Sequence, residues 1–226
     1  ERPILINNWE ATYFDFNKNK LLSIADKAEE AGIELFVLDD GWFGNRNNDR
    51  SSLGDWYENK EKLGGSLAEL AGDINDRGLM FGLWVEPEMV SPDSELYRKH
   101  PEWAIKVPGV APHLSRHQLV LDYTRKDVRD HIVDRLASIF GNANIEYVKW
   151  DMNRNITDAY SCALPPERQG EFYHRYILGL YEVLERLTSA FPDILFEGCS
   201  GGGGRNDPGM LYYMPQNWSS DDTDAE

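Results

Sequence analysis

Cysteine is scarce in this sequence of 226 residues. It has two, Cys162 and Cys199, too few for a disulfide framework and suited to a reducing compartment. Long hydrophobic runs are missing as well. No stretch approaches the roughly 18 uninterrupted apolar residues of a membrane span, and the N-terminus lacks a basic-then-apolar leader pattern. A soluble, cytoplasmic protein is the expectation. Basic charge is short: 23 Lys and Arg stand against 39 Asp and Glu, for a net charge of -16. That balance argues against nucleic acid or an anionic membrane as partner and fits a neutral substrate. The glycine fingerprint of a dinucleotide-binding sheet is absent too, since the first strand-like run ends Asn7-Asn8-Trp9-Glu10. No repeat, low-complexity tract or linker divides the chain, so residues 1–226 read as one domain.

What is present alternates. Strand-like runs fall at Pro3 to Asn8, Ile33 to Leu38, Met80 to Val85, Ile145 to Trp150, Ile194 to Glu197 and, more weakly, Met214 to Trp218. Helical patterns lie between them: Lys18 to Ala31, Ser66 to Asp76 with Ser66 as N-cap, Asp127 to Phe140, and Glu167 to Ala190 before Pro192. A short helix is predicted from Ser91-Pro92 to Lys99, with Ser91 capping and Pro92 at its first position. Residues 107–118 look like a rim insertion ahead of a short extra strand at Leu119 to Asp122. Such β-α alternation predicts an α/β protein with a parallel sheet, and the missing fingerprint favours a (β/α)8 TIM-type barrel over a doubly wound sheet. The sequence stops where about two more βα units would be needed to close eight strands, so a truncated barrel of about six units is expected.

In such a barrel the residues just after each strand build the site. Here they are polar or aromatic: Trp9, Asp39 and Asp40, Trp84 with Glu86 and Glu88, Asp151 with Asn153, Cys199 with its glycines, and Asp221 with Asp222. Lys149, Asp151 and Asn153 fall on one face of their strand, because side chains alternate. A polar stripe in an apolar strand is costly unless its members satisfy one another or a ligand. A rim of carboxylates suits either a divalent cation or the paired acids that cleave a glycosidic bond. Trp9, Trp42, Trp84, Trp150 and Trp218 beside it favour a sugar ring. No histidine lies near a main strand end, and Lys149 would crowd a metal, so neither metal nor cofactor is expected.

Six motifs in order carry a resemblance: Asn7-Asn8-Trp9-Glu10, Leu38-Asp39-Asp40-Gly41-Trp42-Phe43, Gly82-Leu83-Trp84-Val85-Glu86-Pro87-Glu88-Met89, Val148-Lys149-Trp150-Asp151-Met152-Asn153, Cys199-Ser200 with four glycines and Arg205, and Ser220-Asp221-Asp222-Thr223-Asp224. Over essentially its whole length the chain resembles the catalytic barrel of family 36 bacterial α-galactosidases, those acting on raffinose- and melibiose-type sugars. The resemblance implies a retaining, exo-acting glycoside hydrolase with Asp151 as nucleophile and Asp221 as acid/base, Asp222 being the rival for the second role. It implies that Asp39 and Asp40 hold the galactose 4- and 6-hydroxyls. Trp9, Trp84, Arg116, Lys149, Asn153, Cys199, Gly202 and Trp218 match positions that wall or hydrogen-bond the sugar pocket.

Two electrostatic expectations follow from these roles. Lys149 keeps Asp151 ionised, and Asp222 pushes Asp221 toward its protonated form. The resemblance also implies α-galactoside oligosaccharides as partners and a homotetramer for the full-length protein, and the family's flanking β domains are absent from the sequence. The alternatives are a galactosyltransferase or α-N-acetylgalactosaminidase of the same superfamily, or a galactose-binding module without catalysis.

Overall fold

The computed structural model describes residues 2–222. Thr223 and Asp224, the end of the last motif, lie outside the described residues. The first strand, β1 (Leu5–Asn7), runs into the single-turn helix α1 (Trp9–Thr12). Helix α2 (Lys18–Glu30) starts at Asn17, whose side chain accepts a hydrogen bond from the Lys20 amide at 3.0 Å, and buries Leu21, Ala25 and Ala28. Strand β2 (Leu35–Leu38) is buried throughout. Beyond it come α3 (Lys60–Leu63) and α4 (Leu67–Asn75), the latter opened by a Ser66/Glu69 capping box. Strand β3 (Met80–Val85) agrees with its predicted bounds.

After β3 the chain leaves the alternating pattern. A ribbon pairs β4 (Met89–Val90) with β5 (Leu119–Val120) in antiparallel fashion, with α5 (Glu95–Lys99) between them. The predicted helix at Ser91-Pro92 begins later than expected. Ser94 is the true cap, its Oγ accepting from the Tyr97 amide at 3.0 Å. Ser91 instead accepts from the Leu53 amide at 3.0 Å, so tertiary contact claimed the better-looking cap. The rest regains alternation: α6 (Lys126–Asn142), β6 (Tyr147–Trp150), α7 (Phe172–Ala190), β7 (Leu195–Gly198), α8 (Pro208–Tyr213) and β8 (Gln216–Asn217). The start predicted for α7 at Glu167 falls in a 3-10 turn, Pro166–Glu171.

Among the described residues six strands form one sheet in the order β1-β2-β3-β6-β7-β8, every adjacent pair parallel. The sheet curls into a half-barrel. Its convex side packs Phe36, Leu38, Phe81, Leu83, Val148 and Phe196 into the main core under the helices. Its concave side carries a smaller cluster of Leu35, Val37 and Tyr147, with Leu5, Met80 and Leu195 against it. Gly82 sits in that inner layer because a Cβ would lie 3.0 Å from both Tyr147 Cβ and Val37 Cγ2. No helix among the described residues is long and apolar enough to cross a membrane.

Parity along the strands sets up the site. Continuing the inner set by steps of two leads from Leu5 to Asn7, from Val37 to Asp39, from Gly82 to Trp84 and Glu86, and from Tyr147 to Lys149, Asp151 and Asn153. The same face that packs apolar residues at one end of the strands is polar at the other.

Candidate active site

The polar ends converge on a cavity of about 470 Å³, within the ~300–1,000 Å³ of small-molecule sites. Trp9, Asp39, Asp40, Trp84, Arg116, Lys149, Asp151, Asn153, Trp218 and Asp221 all line it. Cys199 and Gly202 do not. Asp222 is not in the lining either, so of two adjacent carboxyls only Asp221 faces the cavity.

Asp151 accepts from three donors. Oδ2 accepts from Trp84 Nε1 at 3.1 Å and Asn153 Nδ2 at 2.6 Å, while Oδ1 accepts from the Met152 amide at 2.9 Å. Cys199, 2% exposed, lies beside it. Burial, and then the Asp151 charge, push that thiol far above its ordinary value, so Cys199 is a neutral thiol rather than a nucleophile.

Lys149 makes its direct ion pair with another carboxylate. Its Nζ pairs with Asp39 Oδ2 at 3.0 Å and lies 4.3 Å from the centre of the Trp218 ring. Burial works against its charge, but the carboxylates Asp39 and Asp151 outweigh that and hold the ammonium above its usual range. Trp84, Asn153 and the Met152 amide donate to Asp151 directly, and Lys149 acts on it through space. Asp39 also accepts from Asn7 Nδ2 at 2.5 Å, and its amide donates to Asn8 Oδ1 at 2.8 Å.

The neighbouring Asp40 takes a fork from Arg46: Nε to Oδ1 at 2.9 Å and NH2 to Oδ2 at 2.8 Å. Burial raises the Asp40 carboxyl above its usual value and Arg46 opposes the rise. Removing the guanidinium would strand a buried carboxyl, so Arg46→Ala is expected to cost about 3–5 kcal/mol of stability. The midpoint of denaturant unfolding measures this, and Arg46→Lys should recover only part, because an ammonium cannot form the fork.

Asp221 lies across the cavity. Although open to its mouth, the carboxyl is raised above its ordinary value by burial first and by the Asp151 charge next, against the pull of Lys149 and Arg116. The direction matches the expectation from sequence, but the cause does not. Asp222 is exposed, and its amide is tied to Ser220 Oγ at 3.0 Å. The charge that matters is the other candidate catalytic carboxylate.

Gly202 explains how Asp221 is held. It adopts φ +78°, and a Cβ there would lie 2.9 Å from Ser220 Cα and 3.2 Å from the Asp221 amide nitrogen. The glycine makes room for the strand-end backbone that presents Asp221. Gly202→Ala is expected to lower turnover by about ten- to a hundredfold by displacing that backbone, with ~1–2 kcal/mol of strain in the fold. Steady-state kinetics beside a thermal melt separates the two effects.

The family model described as melibiase matches residues 1–226. The chain belongs to the melibiase family. Alpha-galactosidase AgaA of Geobacillus stearothermophilus is 64% identical over 225 residues, and alpha-galactosidase 1 of Pediococcus pentosaceus is 60% identical over the same length. Each alignment covers 100% of this chain and 31% of the relative. The crystal structure of GH36 AgaA superposes with a TM-score of 0.98 over 99% of this chain and 31% of its own. A more distant α-galactosidase, from Thermus thermophilus in complex with p-nitrophenyl α-D-galactopyranoside, gives 0.66 at 27% identity over 87% of this chain and 38% of its own. The chain thus spans about a third of the length of the curated relatives it matches.

Among the lining residues to which the sequence reading gave no individual role are Asn7, Arg46 and Glu86, the last named there only as one of the strand-end carboxylates. Asn7 and Glu86 are legible by strand parity, each lying two positions along from an inner residue. Arg46 has no such signal. It reaches Asp40 from a loop whose path is set by contacts such as Arg46 NH1 to the Ser51 carbonyl at 2.9 Å. Glu88, fully buried, accepts from Trp150 Nε1 at 2.9 Å, Tyr176 Oη at 2.8 Å and Arg205 NH1 at 3.0 Å. It fastens β6, α7 and the glycine-rich loop beneath the site.

Proposed function

We propose that this chain is the catalytic core of a retaining, exo-acting α-galactosidase, its six sheet strands being six of the eight of a (β/α)8 barrel. The observation that carries the reading is the contrast between two carboxyls on one cavity. Asp151 is surrounded by donors, whereas Asp221 is held above its ordinary pKa. Retaining glycosidases need that contrast: an ionised nucleophile opposite a protonated acid, in a pair about 5–5.5 Å apart.

In the first step Asp151 attacks the anomeric carbon as Asp221 protonates the departing oxygen, leaving a glycosyl ester on Asp151. Asp221, now ionised, takes a proton from water, which opens the ester and restores both groups. Asp39, Asp40 and Lys149 line the cavity as polar groups for the sugar's hydroxyls, and Asp39 with Lys149 suits an axial 4-hydroxyl, the feature that separates galactose from glucose. Trp84 and Trp218 supply apolar faces for the ring.

The substrate class rests on family membership and on the relatives' complexes, one of which, an AgaA variant, holds raffinose. Proton NMR of α-galactoside hydrolysis tests the proposal. Release of α-galactose before mutarotation is expected; first-formed β-galactose, or binding without turnover, would contradict it. A sucrose-type acceptor in the same tube distinguishes hydrolysis from galactosyl transfer.

A further inference from the structure

A third carboxyl, beyond the proposed nucleophile and acid, lines the cavity. Glu86 is 1% exposed and reaches the site from the end of β3. Its Oε1 accepts from the Asn153 amide at 2.6 Å and from Gln118 Nε2 at 3.2 Å. Its Oε2 takes no hydrogen bond among the described residues, and it is not among the polar atoms sealed from solvent without a partner. One oxygen is thus occupied by two donors while the other opens to the cavity.

The charges around Glu86 are mostly negative. Asp151 follows the end of β6, and Asp40 lies just past the end of β2. Arg46 lies nearby but is committed to Asp40 by its fork. Lys149 is held by Asp39, while Arg116 and Asp221 line the same cavity farther along the chain. With Oε1 already accepting two hydrogen bonds, a proton on this carboxyl belongs on Oε2, where it makes a donor aimed into the cavity.

We propose that Glu86 works as a neutral acid, its Oε2–H donating to a hydroxyl of the bound sugar on the Asp151 side while Oε1 fixes Asn153, and that its ionisation limits activity at alkaline pH. The proposal rests on the α-galactosidase reading of the same cavity. Burial, and then the Asp151 charge, push the Glu86 carboxyl up to about 8, so the donor form persists through neutral pH. Asn153 in turn donates to Asp151 at 2.6 Å, so Glu86 is a positioning residue for the nucleophile as well as a contact for the sugar. Above its pKa the donor is lost, and a second, weakly compensated charge appears beside Asp151.

The sign of the linked stability is fixed by the same shift. A carboxyl raised in the folded state stabilises the fold fully below its unfolded value of 4.5, and the contribution is lost as pH rises through about 8. Glutamine copies the neutral form, with an oxygen for Asn153 and Gln118 and an N–H for the sugar.

The test measures kcat and KM from pH 5 to 10 on an α-galactoside for the wild-type protein, Glu86→Gln and Glu86→Ala. Alongside it, carbon-13 NMR follows the Glu86 carboxyl, assigned by its absence from the glutamine variant. Glu86→Ala is expected to lose about tenfold or more in kcat/KM at every pH, for one buried polar contact removed. Glu86→Gln should recover much of that loss, carry the alkaline limb to higher pH, and melt at a higher temperature than wild type above pH 8.

A wild-type carboxyl that titrates in the ordinary carboxylate range overturns the proposal. An alkaline limb unmoved in Glu86→Gln also overturns it, as does a glutamine variant no better than alanine. If wild type turns over no α-galactoside at any pH, the functional reading falls and the sugar contact falls with it. An active wild type with an unmoved limb removes Glu86 alone.

Discussion

Asp151→Asn is expected to lower turnover of every α-galactoside by at least about 10⁴-fold, as loss of a nucleophile does in enzymes with covalent intermediates. The substitution is nearly isosteric. One carboxamide oxygen replaces two acceptors: at the Oδ2 position it still accepts from Trp84 Nε1, which donates there at 3.1 Å, while the Met152 amide, which donates to Oδ1 at 2.9 Å, loses its partner, a local cost of about one hydrogen bond. The fold should therefore survive, with a circular dichroism spectrum and melting temperature close to wild type. Galactose should still bind, since Asp39, Lys149 and Asp40 are untouched. A purely structural role would predict the reverse: lost stability and proportionate, partial loss of activity. Single-turnover kinetics with equilibrium binding of galactose separates the two, and retained turnover in a folded variant would contradict the assignment.

Asp221→Ala should show a dependence on leaving group that no structural defect imitates. General acid assistance contributes about 10²–10⁴-fold, and it matters only when the departing oxygen needs a proton. Oligosaccharides of the raffinose type, whose leaving group is an alcohol, should lose close to the full factor. Nitrophenyl galactosides leave without help, so their first step should survive and the glycosyl ester should accumulate. Azide, which needs no general base, should then restore turnover and give α-galactosyl azide. Asp222→Ala provides the contrast. Its side chain is outside the cavity lining, and kcat/KM should stay within about threefold of wild type, as for a typical exposed substitution. Equal losses on both substrate classes, or a larger effect at Asp222, would reassign the acid.

Strand parity makes most of this site legible in the sequence. Lys149, Asp151 and Asn153 share a face because the period of a strand is two, and all three line the cavity. Element ends are less readable. Ser91-Pro92 is a better local N-cap signal than Ser94, but packing of Ser91 against Leu53 decides the outcome. The electrostatics are legible in sign and not in source. Sequence neighbours suggest that Lys149 serves Asp151 and Asp222 serves Asp221, whereas Lys149 pairs with Asp39, 110 positions away, and the charge acting on Asp221 is Asp151. A strand's sequence gives facing and not the identity of cross-sheet partners. Arg46 and the packing role of Gly202 are hidden for the same reason, since each depends on backbone that arrives from elsewhere in the chain.

The central claim is that Asp151 forms a covalent bond to a galactose-configured sugar within this cavity. Intact mass spectrometry after incubation with a galactose-configured epoxide inactivator, followed by peptide mapping, tests it most directly. The account predicts one adduct per chain, located on Asp151, prevented by excess galactose and absent from Asp151→Asn. A folded, galactose-binding protein that acquires no adduct, or acquires it on another carboxyl, would contradict it.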